Sequence, residues 1–128
     1  MIATFIIAHE DLSFSLIQTV ESVLGKQESV FPYSNKHDNL QLLAQKIKSQ
    51  IQTLQAEDIV CFTDLRGGSC WTLANIVRKE IPNMTVISGV NLPMLVTYFN
   101  NLNELPFEQL MDKVVNDACR GITIAQGD

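Results

Sequence analysis

Three short stretches hold the residues that could do chemistry. His9 closes the apolar run Phe5-Ile6-Ile7-Ala8, Asp64 closes Ile59-Val60-Cys61-Phe62-Thr63, and Leu65-Arg66-Gly67-Gly68-Ser69 follows at once. An imidazole with a carboxylate on one ring nitrogen has a fixed tautomer and offers the other nitrogen as a directed nucleophile. A Gly-Gly pair lets the backbone turn tightly and come close to a ligand. Ser69 stands where a helix begins, ahead of Thr72, Leu73, Ala74, Ile76 and Val77. The free N–H groups of a first helical turn attract an anion, and the Ser69 hydroxyl extends that cradle. Added together, these elements describe a histidine that accepts a phosphoryl group. The loop is neither a Walker loop nor GxGxxG.

Each residue also has a plainer reading. The Gly-Gly segment alone is equally an ordinary strand-to-helix turn, and His9 a hydrogen-bonded loop residue. Arg66 either steers an incoming anion or is a solvated surface arginine. Asn91 is either an accessory site residue or the closer of its own turn. Cys70 supports a competing chemistry. A thiolate stabilised at a helix N-terminus, with His9 and Asp64 beside it, would suit a hydrolase or redox enzyme. Against that, it fits helix packing as a small apolar residue. His37 lies in a polar loop and reads as surface.

Composition narrows the field. A chain of 128 residues, 46% hydrophobic and 18% charged, is the size and character of one folded domain. Its formal charge of −5 and lack of a basic stripe exclude a large phosphate-backbone footprint, hence nucleic-acid binding. Cys61, Cys70 and Cys119 are odd in number without CxxC spacing, so neither a disulfide framework nor a metal site is expected, and no organic cofactor is called for. No apolar run reaches the ~20 residues that span a bilayer, and the first residues lack a basic n-region. The expected location is cytoplasmic.

The elements that must position these groups follow from periodicity. Residues 2–8 read as a strand buried on both faces. Leu12, Leu16, Ile17, Val20, Val23 and Leu24 have helical spacing, with Asp11 or Ser13 as cap and Gly25 as a left-handed C-terminal residue. Residues 29–33 are a strand whose Pro32 favours a sheet edge. Asp38 is a plausible cap for an amphipathic helix on Leu40, Leu43, Ala44, Ile47, Ile51 and Leu54. The strand before Asp64 and a helix from Ser69 to Glu80 come next. Residues 84–90 make a fourth strand, Pro93 opens a helix to Tyr98 or Asn101, and another follows Pro106. The tail from Gly121 to Ala125 is a last helical turn or a short strand. Strands alternating with helices predict an α/β fold, a doubly wound four-stranded parallel sheet with helices on both faces. If the first and third strands are neighbours, His9 and Asp64 face one another beyond the strand ends, where such sheets bind ligands.

Three segments in order carry a resemblance over essentially the whole chain. They are Phe5-Ile6-Ile7-Ala8-His9, Thr63-Asp64-Leu65-Arg66-Gly67-Gly68-Ser69 and Ile87-Ser88-Gly89-Val90-Asn91-Leu92-Pro93-Met94-Leu95. The last is close to a Gly-Val-Asn-x-Pro-Met-Leu segment. The chain resembles the IIA component of the mannose-type sugar phosphotransferase system, as one domain over residues 1–128. The resemblance implies His9 as the phosphorylated residue, Asp64 as its partner acid, and Gly67, Gly68 and Ser69 as the phosphoryl cradle. It implies HPr as donor, a IIB component as acceptor, and peripheral association with a membrane IIC/IID permease. It also implies a homodimer that exchanges a C-terminal strand, for which residues 121–125 are the candidate. Four positions depart from the family's usual pattern. Ala8 replaces a small hydroxyl residue, Glu10 a glycine, Arg66 an aromatic and Cys70 a proline. Arg66 is expected to offset Glu10. Leu65, Trp71, Leu92 and Met94 are candidates for a docking surface, with core packing the stronger reading for Leu92. The competing functions are a non-catalytic interaction module of this fold and a Cys70-dependent hydrolase.

Overall fold

The structure, a computed structural model, describes residues 1–127. Two compact units divide the chain, Met1–Val90 and a second from Asn91 onward. The first holds β1 (Ile2–Ala8), α1 (Leu12–Leu24), β2 (Val30–Ser34), α2 (Leu40–Leu54), β3 (Asp58–Thr63), α3 (Ser69–Arg78) and β4 (Met84–Ile87). Its sheet is wholly parallel, in the order β2-β1-β3-β4.

That order fixes where the helices go. The crossover from β1 to β2 runs one way along the sheet, whereas those from β2 to β3 and from β3 to β4 run the other. Right-handed crossovers then put α1 on one face and α2 with α3 on the opposite face. Accordingly α2 and α3 bury Leu43, Ala44, Ile47, Ile51, Leu73, Ala74 and Val77 against Ala3, Phe5, Ile7, Ile59 and Cys61. Alternation turns the buried Ile6, Ala8, Val60 and Phe62 to the other face, and α1 lies against β1 and β2. β1 and β3 are central and buried almost throughout, which is why both read as unbroken apolar runs. β2 is an edge strand and accommodates Pro32 opposite Ile6.

Local details differ from expectation. Asn39, not Asp38, caps α2 by accepting from the Leu42 N–H at 2.8 Å, while Asp38 pairs with Lys46. Neither Asp11 nor Ser13 caps α1 with its side chain, because the Ser13 hydroxyl donates to the Tyr33 carbonyl. Gly25 has positive φ but an extended ψ of 175°, so it is not a left-handed cap. β4 stops at Ile87, before a bend through Gly89, although the Val90 N–H still reaches the Thr63 carbonyl.

The second unit is a helical pair, α4 (Leu92–Asn101) and α5 (Phe107–Arg120). Leu95, Tyr98, Leu110, Val114 and Ala118 are its buried residues of helical period. Asn91 caps α4, accepting from the Met94 N–H at 2.9 Å and donating to the Ala118 carbonyl at 3.3 Å. Thr97 donates to Asp117 at 2.9 Å. Residues 122–127 adopt neither helix nor strand, and Ile122 and Ile124 are exposed.

Candidate active site

Because β1 and β3 are neighbours in register, their C-terminal ends bring His9 and Asp64 together across 55 residues of sequence. One carboxylate oxygen, Oδ2, accepts from the His9 backbone N–H at 2.8 Å and from ring Nδ1 at 2.7 Å. The other, Oδ1, accepts from the Leu65 N–H at 2.9 Å. Burial works to raise the Asp64 carboxyl, but the bonds from His9 and Leu65 outweigh it and hold the group below its ordinary value. The group is thus a carboxylate at neutral pH and can only accept. The shared proton belongs to Nδ1, which in the neutral imidazole leaves the lone pair on Nε2. Solvent reaches this edge of the site, the His9 side chain being 41% exposed against 10% for Asp64.

The Gly-Gly turn closes over the ring from the α3 side. Gly67 takes φ +83°, in the region that favours glycine. Gly68 is extended, and its requirement is space instead. A Cβ there would stand 3.5 Å from His9 Cε1 and 3.3 Å from the Leu65 carbonyl oxygen. The chain then enters α3 at Ser69, whose hydroxyl lies 3.2 Å from His9 Nε2. The helix terminus, with its free N–H groups, therefore begins beside Nε2.

Not every predicted residue joins this cluster. Arg66 is exposed on the loop, and the cation beside Glu10 is Lys36, 3.5 Å from Glu10 and 3.7 Å from Asp11. Asn91 has both ends of its amide occupied within the α4–α5 pair, as the closer of its own turn. Of the proposed docking residues, Leu65 and Leu92 are exposed, Trp71 is half-buried, and Met94 is core. Leu92 thus departs from the packing role expected of it. His37 is exposed, as expected.

Cys70 lies at the helix N-terminus, 3.7 Å from His9 Nδ1, but its thiol is not activated. Burial, with the Asp64 charge beside it, pushes it up to about 11 despite a favourable bond to Ser69. Desolvation outweighs the helix terminus, which favours the packing reading of Cys70 over the competing thiolate. His9, Asp64 and Cys70 offer three donor atoms within 4.8 Å of one another, the one such group among the described residues. Two of those donors are already committed to each other as a hydrogen-bonded pair.

Sequence reasoning missed Asn35 and Lys36, both in the β2–α2 loop. The Asn35 amide donates to the Ser69 hydroxyl at 3.1 Å. The available signal was position alone, a polar loop leaving the strand next to the one that carries His9.

Comparison with known proteins bears on this arrangement. Residues 3–115 match the family described as the PTS system fructose IIA component, EIIA-man. The chain belongs to that family. The mannose-specific EIIAB component of the phosphotransferase system in Escherichia coli K12 is 31% identical over 124 residues, 94% of this chain. This chain spans 38% of that relative's length. The fructose-specific EIIA component of Bacillus subtilis is 25% identical over 117 residues, 89% of this chain and 80% of that protein. The fold is that of a solved phosphotransferase system EIIA from Streptococcus agalactiae, with a TM-score of 0.86, 24% identity and 97% of both chains covered. The mannose/sorbose specific IIA subunit from Enterococcus faecalis superposes with a TM-score of 0.82 at 14% identity, covering 98% of this chain and 96% of that one. As an EIIA-man protein, this chain is a phosphotransferase-system component, and no helix among its described residues is long and apolar enough to cross a membrane.

Proposed function

We propose that this protein is a phosphohistidine carrier of the phosphoenolpyruvate-dependent sugar phosphotransferase system, acting in the cytoplasm as a single EIIA domain. His9 Nε2 attacks the phosphoryl group of phospho-HPr in line. The donor's P–N bond breaks as the new P–Nε2 bond forms, and a IIB component then takes the group by the same step in reverse. The observation that carries the reading is the Nδ1–Asp64 bond of 2.7 Å on a part-exposed ring whose other nitrogen faces the Ser69 hydroxyl at the start of α3. It fixes the tautomer before transfer and stabilises the positive charge that the ring gains during it. No proton has to move at Nε2.

Gly67, Gly68 and Ser69 hold the transferred group, through the α3 terminus and the Ser69 hydroxyl. Arg66, exposed on the same loop, steers the incoming dianion, whereas Asn91 serves as the cap of α4. Neither a metal nor an organic cofactor takes part. Leu65, beside the site, contributes to the surface that meets the protein partners. The chain works as a homodimer, with the exposed alternation of Ile122 and Ile124 available for strand exchange, and associates peripherally with a IIC/IID permease. The neutral Cys70 thiol weighs against a cysteine-dependent hydrolase.

The test is intact mass after incubation with phosphoenolpyruvate, enzyme I and HPr, beside a His9→Ala control. One acid-labile phosphate in the wild type alone is expected. Phosphate on both proteins would move the site from His9. With cognate donors and folded protein, phosphate on neither would favour a non-catalytic interaction module of the same fold.

A further inference from the structure

Asn35 belongs to none of the segments that identify the site, yet its amide lies one hydrogen bond from the nucleophile's own partner. Its Nδ2 donates to Ser69 Oγ at 3.1 Å, and Ser69 Oγ lies 3.2 Å from His9 Nε2. With Nδ1 donating to Asp64, Nε2 of the neutral imidazole can only accept. With its oxygen accepting from Asn35, the Ser69 hydroxyl directs its proton to Nε2. The bonds Asn35 to Ser69, Ser69 to His9 and His9 to Asp64 all run in one sense and end on a carboxylate. Such a chain polarises cooperatively.

We propose that Asn35 is a positioning residue for phosphoryl acceptance, aiming the Ser69 hydroxyl at Nε2 in the free protein and turning with it to the phosphoryl oxygens afterwards. The proposal rests on His9 being the acceptor. Once the P–Nε2 bond has taken up the nitrogen lone pair, the Ser69 proton must find another acceptor. The phosphoryl oxygens are then the nearest. The Asn35 N–H supports the hydroxyl in both states, while Lys36 of the same loop pairs with Glu10 and Asp11.

The near-isosteric Asn35→Asp variant reverses the chain. A carboxylate accepts the Ser69 proton, withdraws it from Nε2 and places an anion beside the arriving dianion. Single-turnover phosphorylation from phospho-HPr should slow by about tenfold in Asn35→Ala and by about a hundredfold in Asn35→Asp. In the unphosphorylated protein, the ¹⁵N resonance of Nε2 should move toward that of a free acceptor nitrogen in Asn35→Asp and in Ser69→Ala, with Nδ1 still protonated. A purely structural role for Asn35 would not produce that change. A phosphorylated wild type beside an Asn35→Asp variant with unchanged rate overturns this proposal alone, whether or not the resonance moves. A slowed rate with an unmoved Nε2 resonance overturns it too, because the effect would then bypass the hydroxyl. A wild type that takes no phosphate on His9 overturns the carrier reading and this proposal with it.

Discussion

At position 10 the backbone enters the left-handed region, with φ +52° on a glutamate. The conformation fits the glycine that the family resemblance leads one to expect after the histidine: the turn that lifts the chain off β1 disfavours a Cβ. Glu10→Gly should therefore be more stable than Glu10→Ala by about 1 kcal/mol in urea unfolding, since only glycine relieves the backbone. The lost Lys36 contact is exposed and contributes little to either variant. Asp64 makes a second prediction. Its carboxyl titrates lower folded than unfolded, so its contribution to stability is complete above about pH 4 and disappears as pH falls through the folded value. Melting temperatures across that range should show a shallower acid limb for Asp64→Asn than for the wild type. The same variant cannot accept from both His9 and Leu65 as the carboxylate does: with its amide oxygen toward His9 its NH2 meets the Leu65 N–H, and turned the other way it no longer accepts from Nδ1, which frees the tautomer. Phosphorylation should slow by about a hundredfold or more.

The β3–α3 turn divides its work between two glycines that look alike in the sequence. Gly67 supplies a backbone angle and has open space around its missing Cβ, whereas Gly68 supplies space beside His9 and the Leu65 carbonyl. Gly67→Ala should cost about 1 kcal/mol in stability and leave the imidazole in place. Gly68→Ala should shift the turn by a few tenths of an ångström through its tight 3.3 Å contact with the Leu65 carbonyl oxygen, and slow phosphoryl acceptance by about tenfold, because small displacements of the groups around a reacting ring are expensive. Comparing unfolding midpoints with single-turnover rates separates the two. Element boundaries were legible where one force dominated. The α2 stripe and the apolar runs of β1 and β3 follow from burial. The caps did not follow so directly, because Asp38, Asn39, Asp11 and Ser13 are all chemically competent and local geometry chooses among them.

Across the first unit, one apolar core joins the β1 and β3 faces to α2 and α3, and it sets the spacing of the strand ends that carry His9 and Asp64. Ile47 is fully buried there. Ile47→Ala should destabilise by about 2–5 kcal/mol through lost burial and a residual cavity. The urea midpoint should fall with an unchanged slope. The unit from Asn91 onward has its own packing, with Asn91 tying the start of α4 to the end of α5. Of the two readings the sequence offered for Asn91, closing its own turn is the one these bonds support.

By itself the sequence determined the α/β class and the alternation of elements, and it pointed to His9, Asp64 and the glycine turn as the candidate site. Each rests on local physics: continuous burial, helical period, or a chemistry few side chains can supply. Tertiary structure decided what depends on contacts between distant segments. It paired β1 with β3, buried Cys70 so that its thiol stays neutral, set Lys36 rather than Arg66 beside Glu10, and brought Asn35 to Ser69. A hydrogen bond or a desolvation penalty depends on where the neighbours stand, and only the folded chain supplies those positions.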